Sequence, residues 1–183
     1  MRKVNSILIG LLFWSTTVQG TTIMPLTIEQ RVAKADRVAV AIVESVNYIK
    51  SATQHRIYTV TKLRVLEPLK GSIKQGLSLT VRQIGGTIGE WTQHVPGDAT
   101  FIAGQEVLVF LRHDPRDDLH FLVGMAQGKI DVDIAANKIS QARPFERLPH
   151  RPTLKVRSTT ISRDPLHLSS LLERIRRSLS PSP

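Results

Sequence analysis

The chain has 183 residues, no cysteine and a formal net charge of +10. This length suits one domain with a proper core plus an appendage and falls short of two ordinary domains. The missing cysteine excludes disulfides, thiolate catalysis, zinc-thiolate centres and lipid attachment at an N-terminal cysteine, so packing alone must hold the fold.

Arg2 and Lys3 precede an apolar run from Ile7 to Trp14, and Val18-Gln19-Gly20 follows where a signal peptidase reads. The run breaks at Ser15, Thr16 and Thr17, well before the ~20 apolar residues of a membrane span. Residues 1–20 are therefore expected to be an export signal. The mature chain would begin at Thr21 and reside in the periplasm or outside the cell.

Thr27-Ile28-Glu29-Gln30 has the spacing of a capping box, and Ile28, Val32 and Ala35 recur at helical intervals, which predicts a short helix over about 27–35. Val38 to Val43 is a run of β-branched and small apolar residues that reads as a buried strand. A polar interval from Asn47 to His55 leads to a second strand over 57–66, with Ile57, Leu63 and Val65 on one parity. Pro68-Leu69-Lys70-Gly71 is expected to end it. Leu77, Leu79 and Val81 mark a third strand on one parity.

Gly85, Gly86 and Gly89 come next, before Glu90, Trp91 and Pro96-Gly97. No Lys-Ser or Lys-Thr pair closes a phosphate loop, so the glycines are expected to let a barrel strand bend sharply. Val107 to Leu111 is the most apolar run of the mature chain and predicts a central strand. Asp114-Pro115-Arg116-Asp117-Asp118 is turn chemistry, and Phe121-Leu122-Val123 is expected to return antiparallel to it. Lys129 to Ile134 alternates, with a short strand to follow near Lys138 to Ser140.

The β domain is expected to span 21–142, and a basic, proline-rich appendage 143–183. Those last residues hold nine basic and three acidic side chains, which is most of the excess charge. Asp164 is placed to cap a final helix with Pro165 at its first position. Leu168, Leu171, Leu172 and Ile175 would form its apolar stripe beside Arg174, Arg176 and Arg177. The stripe can pack back on the barrel or dock on a partner or anionic membrane. The arginines can bind an anionic polymer or merely solvate the tail. The tail lacks interleaved aromatics, which argues against specific nucleic-acid recognition by stacking.

Hydrolysis needs a nucleophile, a base and an orienting group, and no serine elbow or His-Glu-x-x-His helix is present. Glu90 with His94 is the one acid and imidazole pair on the glycine-rich loop. His113 and His120 bracket Asp114, Asp117 and Asp118, which reads either as an ordinary hairpin tip or as a set able to hold a divalent ion. The expectation is a non-enzymatic protein with no cofactor and no metal. Trp91 reads either as an anchor filling the space beside the glycines or as the hot spot of a binding edge made by Gly85, Gly86, Gly89, Glu90 and Trp91.

The order Ala35-Asp36, Tyr58, Leu69-Lys70-Gly71, Phe101, Gly104, Val107 to Leu111, Gly124 and Gly128-Lys129 resembles a class of small exported bacterial proteins. It is also similar to the barrel of netrin-like modules and tissue inhibitors of metalloproteinases, over about residues 35–134. The resemblance implies an all-β, OB-like Greek-key barrel with a protein-binding or oligomer-binding face. In the inhibitors an N-terminal cysteine reaches the catalytic zinc, and the present chain has none to carry that role. The expected function is binding of another exported protein, with a secreted protease as one candidate class, or else attachment to an anionic surface through Arg143 to Arg177.

Overall fold

The computed structural model describes residues 24–51, 56–140 and 167–180. The expected export signal, the expected linker up to about Ser162, and Asp164 with Pro165 lie outside them. The described chain is mostly β, with two short α-helices. None of its helices is long and apolar enough to cross a membrane.

Helix α1 (Ile28–Lys34) opens with the capping box: the Thr27 hydroxyl accepts from Gln30 N–H, and the Gln30 side chain accepts from Thr27 N–H. It buries Val32 and stops at Ala35, whose backbone is extended. Lys70 then supplies what the helix end lacks, its ammonium donating to the carbonyls of Val32 and Ala35, each at 2.7 Å.

The strands are β1 (Arg37–Lys50), β2 (Ile57–Lys70), β3 (Ser78–Ile84), β4 (Gly86–Ile88), β5 (Trp91–Gln93), β6 (Glu106–Asp114), β7 (Leu119–Leu122), β8 (Lys129–Asp133) and β9 (Lys138–Ser140). The main sheet has the order β1-β2-β3-β7-β6-β8-β9, and β6 also pairs with β1. The β3–β7 join is parallel and consists of one residue pair, Val81 with His120. The other pairings in the sheet are antiparallel.

Two apolar clusters lie on opposite faces of β1 and β6. Ala39, Ala41, Val107, Val109 and Leu111 face Leu63, Val65, Leu79, Val81 and Phe101. Val38, Val40, Leu108 and Phe110 face the helices, where Val32 of α1 meets Leu168, Leu171, Leu172 and Ile175 of α2 (Leu168–Leu179). Both faces of these strands are covered, which is why their sequence runs apolar without alternating. Burying each such side chain contributes about 1.5–3 kcal/mol.

The structure departs from the sequence reading at four places. β1 runs on into the polar interval as far as Lys50, paired with β2 back to Ile57, because cross-strand pairing rather than apolar content sustains it. β2 also continues past Pro68, which sits where the register with β1 shifts and needs no ladder donor. Leu77 precedes β3 and is exposed instead of sharing the buried parity of Leu79 and Val81. Finally, α2 begins at Leu168 rather than at Pro165. Its start is capped from outside: the Asn137 carbonyl accepts from Leu168 N–H, and Asn137 Oδ1 accepts from Ser169 N–H.

Candidate functional site

The glycine-rich segment forms a small hairpin, β4 against β5, set apart from the main sheet. Its two-residue tip is Gly89-Glu90. Gly89 takes φ 58°, the positive value that a tight primed turn asks of its first central residue. At the base, Gly85 and Gly86 take φ 111° and 128°. A Cβ on Gly85 would meet the Gln93 carbonyl oxygen at 2.7 Å, and one on Gly86 would strike the Tyr48 ring. The glycines thus allow the chain to fold flat over the ribbon end, as sharp bending of a strand requires.

Polar contacts fix the hairpin there. Gly85 N–H donates to the Ile57 carbonyl at 2.8 Å. Thr59 Oγ1 donates to the Gly85 carbonyl at 2.8 Å, and Ile57 N–H donates to Gln93 Oε1 at 3.0 Å. Behind it, Gln83 is buried and donates to Asp98 Oδ1 and the Ala99 carbonyl. The backbone under the tip is therefore anchored on β2 and β3, while Glu90 and Trp91 project outward.

Trp91 is 72% exposed, so it is not the core anchor that one reading of the sequence allowed. Lys50 lies over its ring at 5.3 Å, and Tyr48 and Ile49 beside Lys50 on the ribbon are also exposed. A large indole left in water at the hairpin tip, with the Lys50 ammonium over its ring, is a surface suited to an apolar partner group. Sequence reasoning missed these ribbon residues, since some 40 positions separate them from Trp91 and they carry no motif.

The Glu90 and His94 pair has no acid–base arrangement: both are exposed, and among the described residues no hydrogen bond or ion pair joins them. His113, Asp118 and His120 do converge. Their ligand-type atoms lie within 4.8 Å of one another, and the two imidazoles stack with centroids 5.0 Å apart. Arg37 decides their character. Its Nη1 sits 2.7 Å from His120 Nε2, and its Nη2 is 3.5 Å from His113. His120 Nδ1 faces the Thr80 carbonyl at 3.1 Å. A carbonyl only accepts and a guanidinium only donates, so His120 carries its proton on Nδ1 and spends its Nε2 lone pair on Arg37. The group is a hydrogen-bonded cluster filled by a cation of the protein itself. Asp114 accepts from Arg116 N–H within the turn, and Asp117 is exposed.

The three arginines of α2 each face a glutamate. Arg174 pairs with Glu29 of α1, Arg176 with Glu67 of β2, and Arg177 with Glu173 one turn earlier. Glu29 is held down to about 2 by the Arg174 hydrogen bond first, with its helix position adding to the effect. The first two pairs stitch α2 to α1 and β2. A recess of about 370 Å³ beside the start of α2, lined by Val40, Leu66, Glu67, Leu168 and Leu172, shares no residue with the hairpin.

No protein-family model matches the chain, and no curated protein matches it significantly.

Several of the residues that carry the sequence resemblance make close contacts within the fold. Gly71 backs onto Asp36, where a Cβ would sit 2.5 Å from the Asp36 carbonyl oxygen, next to the Lys70 bonds to Ala35. Lys129, its side chain 7% exposed, lies over Phe101 at 5.1 Å, donates to the Thr100 carbonyl and Gln105, and pairs with Asp131. Gly128 approaches the Val123 backbone, 2.7 Å from where its Cβ would be. These are fastenings of the fold, separate from the hairpin tip.

Proposed function

We propose that this protein is an exported, non-enzymatic binding module built on an OB-like Greek-key barrel, and that the Gly85 to Gly97 segment is the edge by which it holds another exported protein. The ring of pairings β1-β2-β3-β7-β6-β1 and the parallel β3–β7 join support the barrel reading. Export rests on the sequence of residues 1–20. The observation that carries the binding reading is Trp91, 72% exposed on a tip whose base is bonded to Ile57 and Thr59. Pre-organisation of this kind lowers the entropy lost on association. Glu90 and Lys50 flank the indole and supply charge that selects among partners. A secreted protease is one partner class to assay.

The test is affinity capture from the source organism's exported proteins with the mature chain and with Trp91→Ala. Loss of a reproducibly captured protein in the variant, with the circular dichroism spectrum and melting point unchanged, supports the reading; equal capture by both overturns it. Truncating an exposed tryptophan at a hot spot costs about 2–4 kcal/mol of binding, a loss of roughly 30-fold or more. Attachment to an anionic surface is the second reading. It would draw on Arg143 to Arg177, where Arg174, Arg176 and Arg177 each keep more than half of the side chain exposed beside a glutamate. Complexes of that kind would weaken steeply with salt.

A further inference from the structure

We propose that the β3–β7 join is a pH-operated latch, closed by neutral His120 and opened when its imidazole is protonated. This goes beyond the binding reading and does not depend on it. Val81 with His120 is the one residue pair between β3 and β7, so the join has little else in backbone pairing to hold it. His120 is 1% exposed and ties three strands with one ring. It belongs to β7, donates from Nδ1 to Thr80 of β3, and accepts at Nε2 from Arg37 of β1.

Protonation places a second N–H on Nε2, 2.7 Å from a guanidinium that can only donate. A favourable contact becomes two donors and two positive charges face to face. The surrounding charges do not offset this. His113 of β6 stacks on His120, adding a second imidazole rather than an anion. Asp118, in the β6–β7 turn, turns its carboxylate to His113 at 2.9 Å, and its side chain is 83% exposed. Asp36, just before β1, accepts from the backbone N–H of His113. The imidazolium must therefore leave Arg37, and the single pair with Val81 goes with it.

Burial pushes the His120 pKa below its ordinary 6.5; the Thr80 hydrogen bond pulls against it, Arg37 and then His113 lower it further, and Asp118 raises it least. A histidine with a depressed native pKa binds fewer protons folded than open. The closed join is thus fully stable above about pH 6.5 and loses stability as pH falls below it.

The experiment follows amide hydrogen exchange of the full mature chain from about pH 7.5 to about pH 5, corrected for intrinsic rates, with an NMR titration of the histidine Cε1 protons. Protection of 79–82 and 119–122 is expected to fall by up to about tenfold per pH unit below about 6.5, while Val60 to Leu63 keeps its protection. His120→Gln removes this pH dependence, and His113→Gln retains it. Should His120→Gln fail to fold, Arg37→Gln decides: the His120 midpoint moves up and the pH-dependent loss shrinks. Protection that stays flat with pH while His120 titrates would overturn the latch. So would a step abolished by His113→Gln, or an Arg37→Gln variant with midpoint and step unchanged.

Discussion

The Tyr48 ring of β1 lies against the Cα of Gly86 in β4, so closely that any side chain at Gly86 would have to push the ring aside. This contact holds the start of the hairpin against the end of β1. Gly86 also holds φ at 128°, which an L side chain rarely adopts. Gly86→Ala is expected to cost about 1–3 kcal/mol in urea unfolding. Pairing it with Tyr48→Ala should recover the steric part and leave the backbone part, giving a non-additive double-mutant cycle. Additive costs would show that ring and glycine are independent.

Lys70 ends α1 from a distance, with two short bonds to carbonyls that the helix itself cannot satisfy. Lys70→Met keeps most of the aliphatic stem and removes the donors. Its expected cost is about 1–3 kcal/mol, with faster amide exchange in α1 than in β6. An unchanged melting temperature would mean that water replaces the ammonium without loss.

The Glu29–Arg174 pair couples α1 to α2, and it is pH-dependent because the glutamate is held at about 2 against an ordinary 4.5. A depressed carboxyl stabilises the fold fully above about 4.5, and that contribution disappears as pH falls through 4.5 toward 2. Both side chains are about half exposed, so solvent limits the pair to about 0.5–1 kcal/mol. Glu29→Gln should lower the melting point at neutral pH and converge with the wild type in acid. A gap that persists at low pH would assign the effect to helix capping instead.

Thr61 is fully buried on β2, and among the described residues its hydroxyl has no hydrogen-bond partner. A desolvated hydroxyl without compensation costs about 1–3 kcal/mol. Thr61→Val keeps the β-branched shape and removes the polar atom, so it should raise stability by about 1 kcal/mol. Destabilisation in denaturant titration would contradict the absence of a partner.

Legibility in the sequence tracked how local the cause was. The capping box at Thr27 and Gln30 was readable because both bonds close within one turn. The runs 38–43 and 107–111 were readable as strands because burial on both faces demands uninterrupted apolar residues. The start of α2 was misplaced because its cap is Asn137, which lies 31 positions upstream in the turn between β8 and β9. In the sequence alone Asn47 to Lys50 reads as a connection, since its support is the partner strand rather than its own composition.

By itself the sequence determined the β-rich class, the helical nature of both ends of the described chain and the position of the glycine-rich segment, all set by short-range periodicity and backbone freedom. The tertiary structure decided what those pieces meet. It put Trp91 in solvent beside Lys50, turned Arg174, Arg176 and Arg177 toward glutamates, and gave the His120 lone pair to Arg37. Exposure and charge pairing are properties of surfaces brought together from distant parts of the chain. They take definite values only when the strands have chosen their neighbours.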